Sequence, residues 1–158
     1  MFATFSGPVR SGTQRYGASR NTGLVTLAQS YDTGTVVAAQ GNVDTLAFNI
    51  PQGSQIIDIT VDQVVVPNGS STATVSVGNA TGGAQLMAAV VTTAGGRFRG
   101  TATAATQLAW QTSTTADTTV YVRYAVGTAD ATAGRAVVTV TYVQRAADGS
   151  QNPTFSQN

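Results

Sequence analysis

The sequence predicts an all-β fold: an antiparallel β-sandwich, jelly-roll-like, with an extended N-terminal arm. Three observations predict it. Runs of β-branched and aromatic residues with period-two alternation recur at roughly 8–15-residue spacing, the signature of half-buried strands. Gly, Pro, Asn and Asp punctuate the intervals, as turns require. Strong helix formers are scarce: all eight cations are Arg, all seven anions are Asp, and there is no Lys or Glu.

The clearest runs lie at residues 119–145, TVYVRYAVGTADATAGRAVVTVTYVQR. Val120, Val122, Tyr124 and Val126 share one face, and Tyr121, Arg123 and Ala125 share the other. Val138, Val140 and Tyr142 alternate with Val137, Thr139, Thr141 and Val143. With a Gly/Ala/Thr/Asp turn between them, the two runs predict an antiparallel hairpin whose apolar face needs a second sheet.

In chain order, residues 23–27 (GLVTL) and 35–38 (TVVA) are candidate short strands, and Gln40, Gly41 and Asn42 form a turn. Residues 45–50 alternate, with Leu46, Phe48 and Ile50 on one face. After a turn at 51–54, residues 55–66 (QIIDITVDQVVV) are the longest run, with Ile57, Ile59 and Val61 inward and Asp58, Thr60 and Asp62 outward. Asn68-Gly69 carries a hairpin signal, and residues 72–77 return with Ala73, Val75 and Val77 inward. Residues 85–91 fit a strand or a helical turn, 95–100 read as a loop, and 107–111 carry the single Trp. The pattern divides the chain into an arm (1–31), a sandwich (32–146) and a polar tail (147–158). Ile57, Ile59, Val75, Val122, Val138 and Val140 are expected in the core, and Asp58, Asp62 and Arg123 in solvent.

Charge narrows the function classes. Charged residues make up 9% of the chain, against about 25% for ordinary domains. A surface of Thr, Ser, Gln and Asn carries few repulsive guards against association, which suits a protein that works inside an assembly. Residues 1–31 hold Arg10, Arg15 and Arg20 and no acid, while residues 32–158 hold five Arg and seven Asp. Gly or Pro at short intervals in residues 1–31 excludes a useful helix. Without Cys there is no disulfide or thiolate chemistry. No run approaches the roughly 18 apolar residues of a membrane span, and MFATFSGPVRSGT lacks the apolar stretch of a signal peptide.

No catalytic constellation emerges. The absence of His, Cys and Lys removes the usual general base, thiol nucleophile and Ser-Lys dyad. Asp58 and Asp62 lie four residues apart on one strand face, about 13 Å, too far for a glycosidase pair. Two of zinc's three usual ligand types are missing, no DxDxDG calcium loop occurs, and no Gly-rich loop carries a Lys. The slightly acidic body offers no basic field for nucleic acid. Trp110, Tyr121, Tyr124 and Tyr142 are weighed as sugar-stacking faces against a place in the core. The reading is therefore non-enzymatic, without cofactor or metal.

The strings IPQGSQIIDITV (50–61), ATVSVGNATGG (73–83) and AGRAVVTVTYV (133–143) resemble head decoration, or cement, proteins of tailed bacteriophages. That resemblance implies a β-sandwich on the outer capsid surface, often a homotrimer, that binds the major capsid protein and clamps neighbouring subunits. It transfers no functional residue individually. The arm supplies the candidate capsid-binding residues: Phe2, Phe5, Tyr16 and Leu24 for apolar grooves, and Arg10, Arg15 and Arg20 for carboxylates. A fibre or spike module that binds receptor or glycan, and a tail or connector component, stand as alternatives. Neither nucleic acid nor membrane is expected as a partner.

Overall fold

Eight strands form in the computed structural model, which describes residues 25–35, 41–68, 72–101, 103–112, 115–127 and 129–144. They are β1 (Val25–Asp32), β2 (Gly41–Ile50), β3 (Gln55–Val65), β4 (Ala73–Gly78), β5 (Met87–Val91), β6 (Gly96–Arg99), β7 (Thr118–Val126) and β8 (Arg135–Gln144). Antiparallel partners join β1 to β8, β2 to β7, β3 to β6 and β4 to β5. This is the pairing of one long hairpin folded back on itself. Rolling that hairpin brings β8 against β3 and β7 against β4. Two four-stranded sheets result, β1-β8-β3-β6 and β2-β7-β4-β5, the jelly-roll arrangement of a β-sandwich.

This topology corrects the expected hairpin at residues 119–145. β7 and β8 belong to opposite sheets and face each other across the core. The Asn68-Gly69 signal likewise sits where the chain crosses from β3 to β4 in the other sheet. Local alternation specifies a strand and its buried face; it does not specify which sheet the strand joins. β4 and β5 are the one consecutive pair that shares a sheet.

The core lies between the sheets. Ile59, Val75, Val122, Val138 and Val140 are buried there as expected, beside Tyr124 and Tyr142. Each such aliphatic side chain stabilises the fold by about 1.5–3 kcal/mol relative to exposure. Ile57 is the exception, with 48% of its surface open. A register shift between Ile56 and Asp58 makes Ile57 the extra residue of a bulge, so Ile56 takes the core position. A second shift, between Leu46 and Phe48, turns Leu46 outward beside Tyr121 while Phe48 packs on the core. One inserted residue reverses the inside–outside parity of everything before it.

Other boundaries differ from the sequence reading. β2 begins at Gly41, inside the expected turn. Residues 96–99 form edge strand β6 rather than a loop, and residues 87–91 resolve as strand β5. β1 starts at Val25, so residues 25–31, placed with the arm, pair with β8. Between β6 and β7 a short helix α1 (Ala104–Gln107) is closed at its start by a Thr103–Thr106 capping box.

Successive strands run in alternate directions, so the connections gather at two ends. At one end lie the β2–β3, β4–β5 and β6–β7 connections. Trp110, 7% exposed, plugs this end, and its Nε1 donates to the Leu86 carbonyl at 2.7 Å. Backbone bonds fasten the plug: Ile56 N to Trp110 O at 2.9 Å and Thr112 N to Ser54 O at 3.0 Å. At the other end, Asn68 Oδ1 accepts from Thr132 N at 2.9 Å and Ala133 N at 2.8 Å, clasping the β7–β8 connection to the β3–β4 connection. There Gln63 Nε2 donates to the buried Tyr124 hydroxyl at 3.0 Å. Gly134 lets the chain pass close by, since a Cβ at that position would lie 3.0 Å from the same hydroxyl.

Candidate interaction surface

The seven residues expected to bind a partner, Phe2, Phe5, Arg10, Arg15, Tyr16, Arg20 and Leu24, lie outside the described residues. What the fold fixes is the point from which they depart. The chain enters β1 at Val25, and Val25 is opposite Gln144, the last residue of β8. The 24 residues before β1 and the 14 after β8 therefore leave from neighbouring positions, at the Trp110 end.

Charge on the body is paired internally. Arg97 grips Asp62 with Nε at 2.6 Å and Nη2 at 2.9 Å, a bidentate arrangement across directly opposed residues of β6 and β3. Arg99 Nη2 lies 2.9 Å from Asp58 Oδ2 on the same outer face. Arg135 pairs with Asp32, joining the start of β8 to the end of β1. Arg123, expected in solvent, is half-buried: its Nε lies 3.2 Å from Asp44 and its Nη1 donates to the Gly82 carbonyl at 3.0 Å. That cluster ties the β4–β5 connection to the sheet. All four Arg among the described residues thus have an Asp partner. Asp58 and Asp62 are charge partners of β6 and not a reacting pair.

The pairs shift the carboxylates. The Arg135 hydrogen bond, aided by the Gly34 amide, holds Asp32 down to about 2. The Arg97 bond lowers Asp62, and the two guanidiniums are held correspondingly higher. All these groups stay ionised at neutral pH, so none is a poised proton donor or acceptor there.

Three of the four aromatic faces weighed for sugar stacking are consumed by the core. Trp110, Tyr124 and Tyr142 are buried, and Tyr142 accepts from Gln29 Nε2 at 2.8 Å. Tyr121 is half-buried on the outer face opposite Leu46. Among the described residues no cluster of three metal-ligating side chains forms.

Open apolar residues lie along β1 and β2 (Leu27, Val43 and Leu46) and at the two ends. At the Trp110 end, Leu108 is 79% exposed and Ile57 is 48% exposed. Each borders a shallow depression: about 500 Å3 lined by Ile57, Asp58, Arg99 and Trp110, and about 540 Å3 lined by Gln85, Leu108 and Ala109. At the opposite end Val64, Val65 and Val66 are exposed beside the second β3 bulge. The sequence reading missed Ile57, because alternation counted through the bulge. Leu108 carried only a faint signal, a Leu in the short string QLAWQ.

No protein-family model and no curated protein matches the chain. Solved structures do. One chain in the capsid asymmetric unit of cyanophage Pam1 superposes with TM-score 0.58 at 22% identity, covering 88% of this chain and 100% of that one. One in the capsid of Ralstonia phage GP4 gives TM-score 0.57 at 21% identity, covering 85% and 93%. At these identities the likeness establishes a shared fold over nearly the whole of both neighbours.

Proposed function

We propose that this chain is a phage head decoration protein, which binds the outer capsid surface and cross-links neighbouring major capsid proteins. The observation that carries the reading is the division of charge. Among the described residues the body pairs each of its Arg with an Asp, whereas Arg10, Arg15 and Arg20 precede β1 in the sequence with no acid among them. The fold shared with chains from two phage capsids supports the setting. In this reading Phe2, Phe5, Tyr16 and Leu24 enter apolar grooves between capsid subunits, and the three Arg pair with capsid carboxylates. A homotrimer would join several modest contacts into one avid clamp. The role needs no cofactor and no chemistry. A glycan-reading fibre module would want an open aromatic platform, and Trp110 is committed to the core.

The test is removal of residues 1–24, stopping before β1 so that the sheet is spared. The truncated protein should keep its β circular dichroism and lose binding to heads stripped of the native protein. Replacing Arg10, Arg15 and Arg20 by Gln should weaken binding more at low salt than at high salt, because screening already suppresses the charge term at high salt. Full-strength binding by the truncated protein would reject the clamp.

A further inference from the structure

We infer that the Trp110 end of the sandwich is the face set against the capsid, with Ile57 and Leu108 as its apolar contacts. The inference rests on the decoration reading and adds the orientation of the body. Its first support is the position at which residues 1–24 join the fold, the start of β1. Thr26 is opposite Val143, Val143 is opposite Gln55, and Gln55 bridges to Gln111, forming one row across the end of the sheet. Three strand spacings of about 4.8 Å put the start of β1 within about 15 Å of Gln111. Gln111 N donates to Leu108 O at 3.2 Å, and Ile57 is two residues along β3 from Gln55. A capsid groove that receives residues 1–24 therefore meets Ile57 and Leu108 next.

The second support is charge. Asp32, Asp44, Asp58 and Asp62, four of the six described Asp, are taken by body Arg. At the Trp110 end Asp117 accepts from Gln52 N at 3.0 Å. Those four carboxylates are thus already paired before the three Arg that precede β1 meet a partner. The partner that suits this end is a protein surface presenting apolar recesses beside carboxylates. The exposed valines of the opposite end, Val64 to Val66, sit away from both chain exits and are assigned no part in it.

The test compares the two ends in the full chain. One variant carries Ile57→Thr and Leu108→Ser; the other carries Val64→Thr, Val65→Thr and Val66→Thr. Both are measured by co-sedimentation with heads of the encoding phage stripped of this protein. The Ile57/Leu108 variant should bind about tenfold more weakly, and the valine variant within about twofold of the parent. Parent-like binding by the first variant, or the larger loss in the second, overturns the orientation while the decoration reading stands. A parent chain that does not bind heads rejects that reading, and the orientation with it. Hydroxyl-radical footprinting of the parent chain gives a result independent of variant folding: Leu108 should be protected on heads and Val64 to Val66 should not. Protection confined to the valines overturns the inference.

Discussion

The two ends of the sandwich solve the same problem by different means. Both must bind together connections that cross between sheets. The Trp110 end does it with one large aromatic driven into the core, its indole N–H satisfied by Leu86. The Asn68 end does it with a small polar clasp on exposed backbone and the Asp32–Arg135 pair. Area removed from water scales with side-chain size, whereas exposed hydrogen bonds and ion pairs exchange against water. The plug should therefore dominate stability. The clasp should chiefly set the course of the β7–β8 connection.

Trp110→Ala should produce the largest loss, about 3–5 kcal/mol, since it opens a cavity and leaves Leu86 O without its donor. Urea unfolding of the two proteins measures it. Asn68→Ala should cost about 1–2 kcal/mol by the same assay, because the Thr132 and Ala133 amides can turn to water once the clasp is gone. If Asn68→Ala costs more than Trp110→Ala, the comparison of the ends is reversed.

Strand identity was legible and strand partnership was not. Val122, Val138 and Val140 declare a buried face through alternation, which depends on residues two apart. That β8 lies between β1 and β3 depends on residues seventy or more positions away. Ile57 and Leu46 were misplaced for a single reason, a bulge that shifts parity without changing composition. The charge pairs were equally hidden. Asp58 and Asp62 meet Arg99 and Arg97 only once β3 and β6 are in register, and Arg123 meets Asp44 only across β2 and β7. The candidate site was half legible: the unbalanced Arg of residues 1–31 are visible in composition, while Leu108 and Ile57 beside the start of β1 emerge only from the rolled topology.

The smallest expected effect concerns the Asp32–Arg135 pair at the Asn68 end, and it is read through pH. Asp32 titrates at about 2 in the fold, against 3.8 for an unperturbed carboxyl. A carboxylate lowered by folding contributes stability that is present above its unfolded pKa and lost as pH falls through its folded value. Asp62, lowered by Arg97, acts in the same direction, so a falling stability of the parent chain alone would not isolate Asp32. Asp32→Asn does, because it removes the charge while an amide oxygen can still accept from Gly34 N. The stability difference between parent and variant should be steady from pH 7 down to about pH 5. It should then shrink toward zero near pH 2 and be smaller throughout in high salt, since the pair is exposed. A difference that does not change between pH 5 and pH 2 would show that the pair holds the β1–β8 junction by shape alone. The electrostatic part of the comparison between the ends would then fall away.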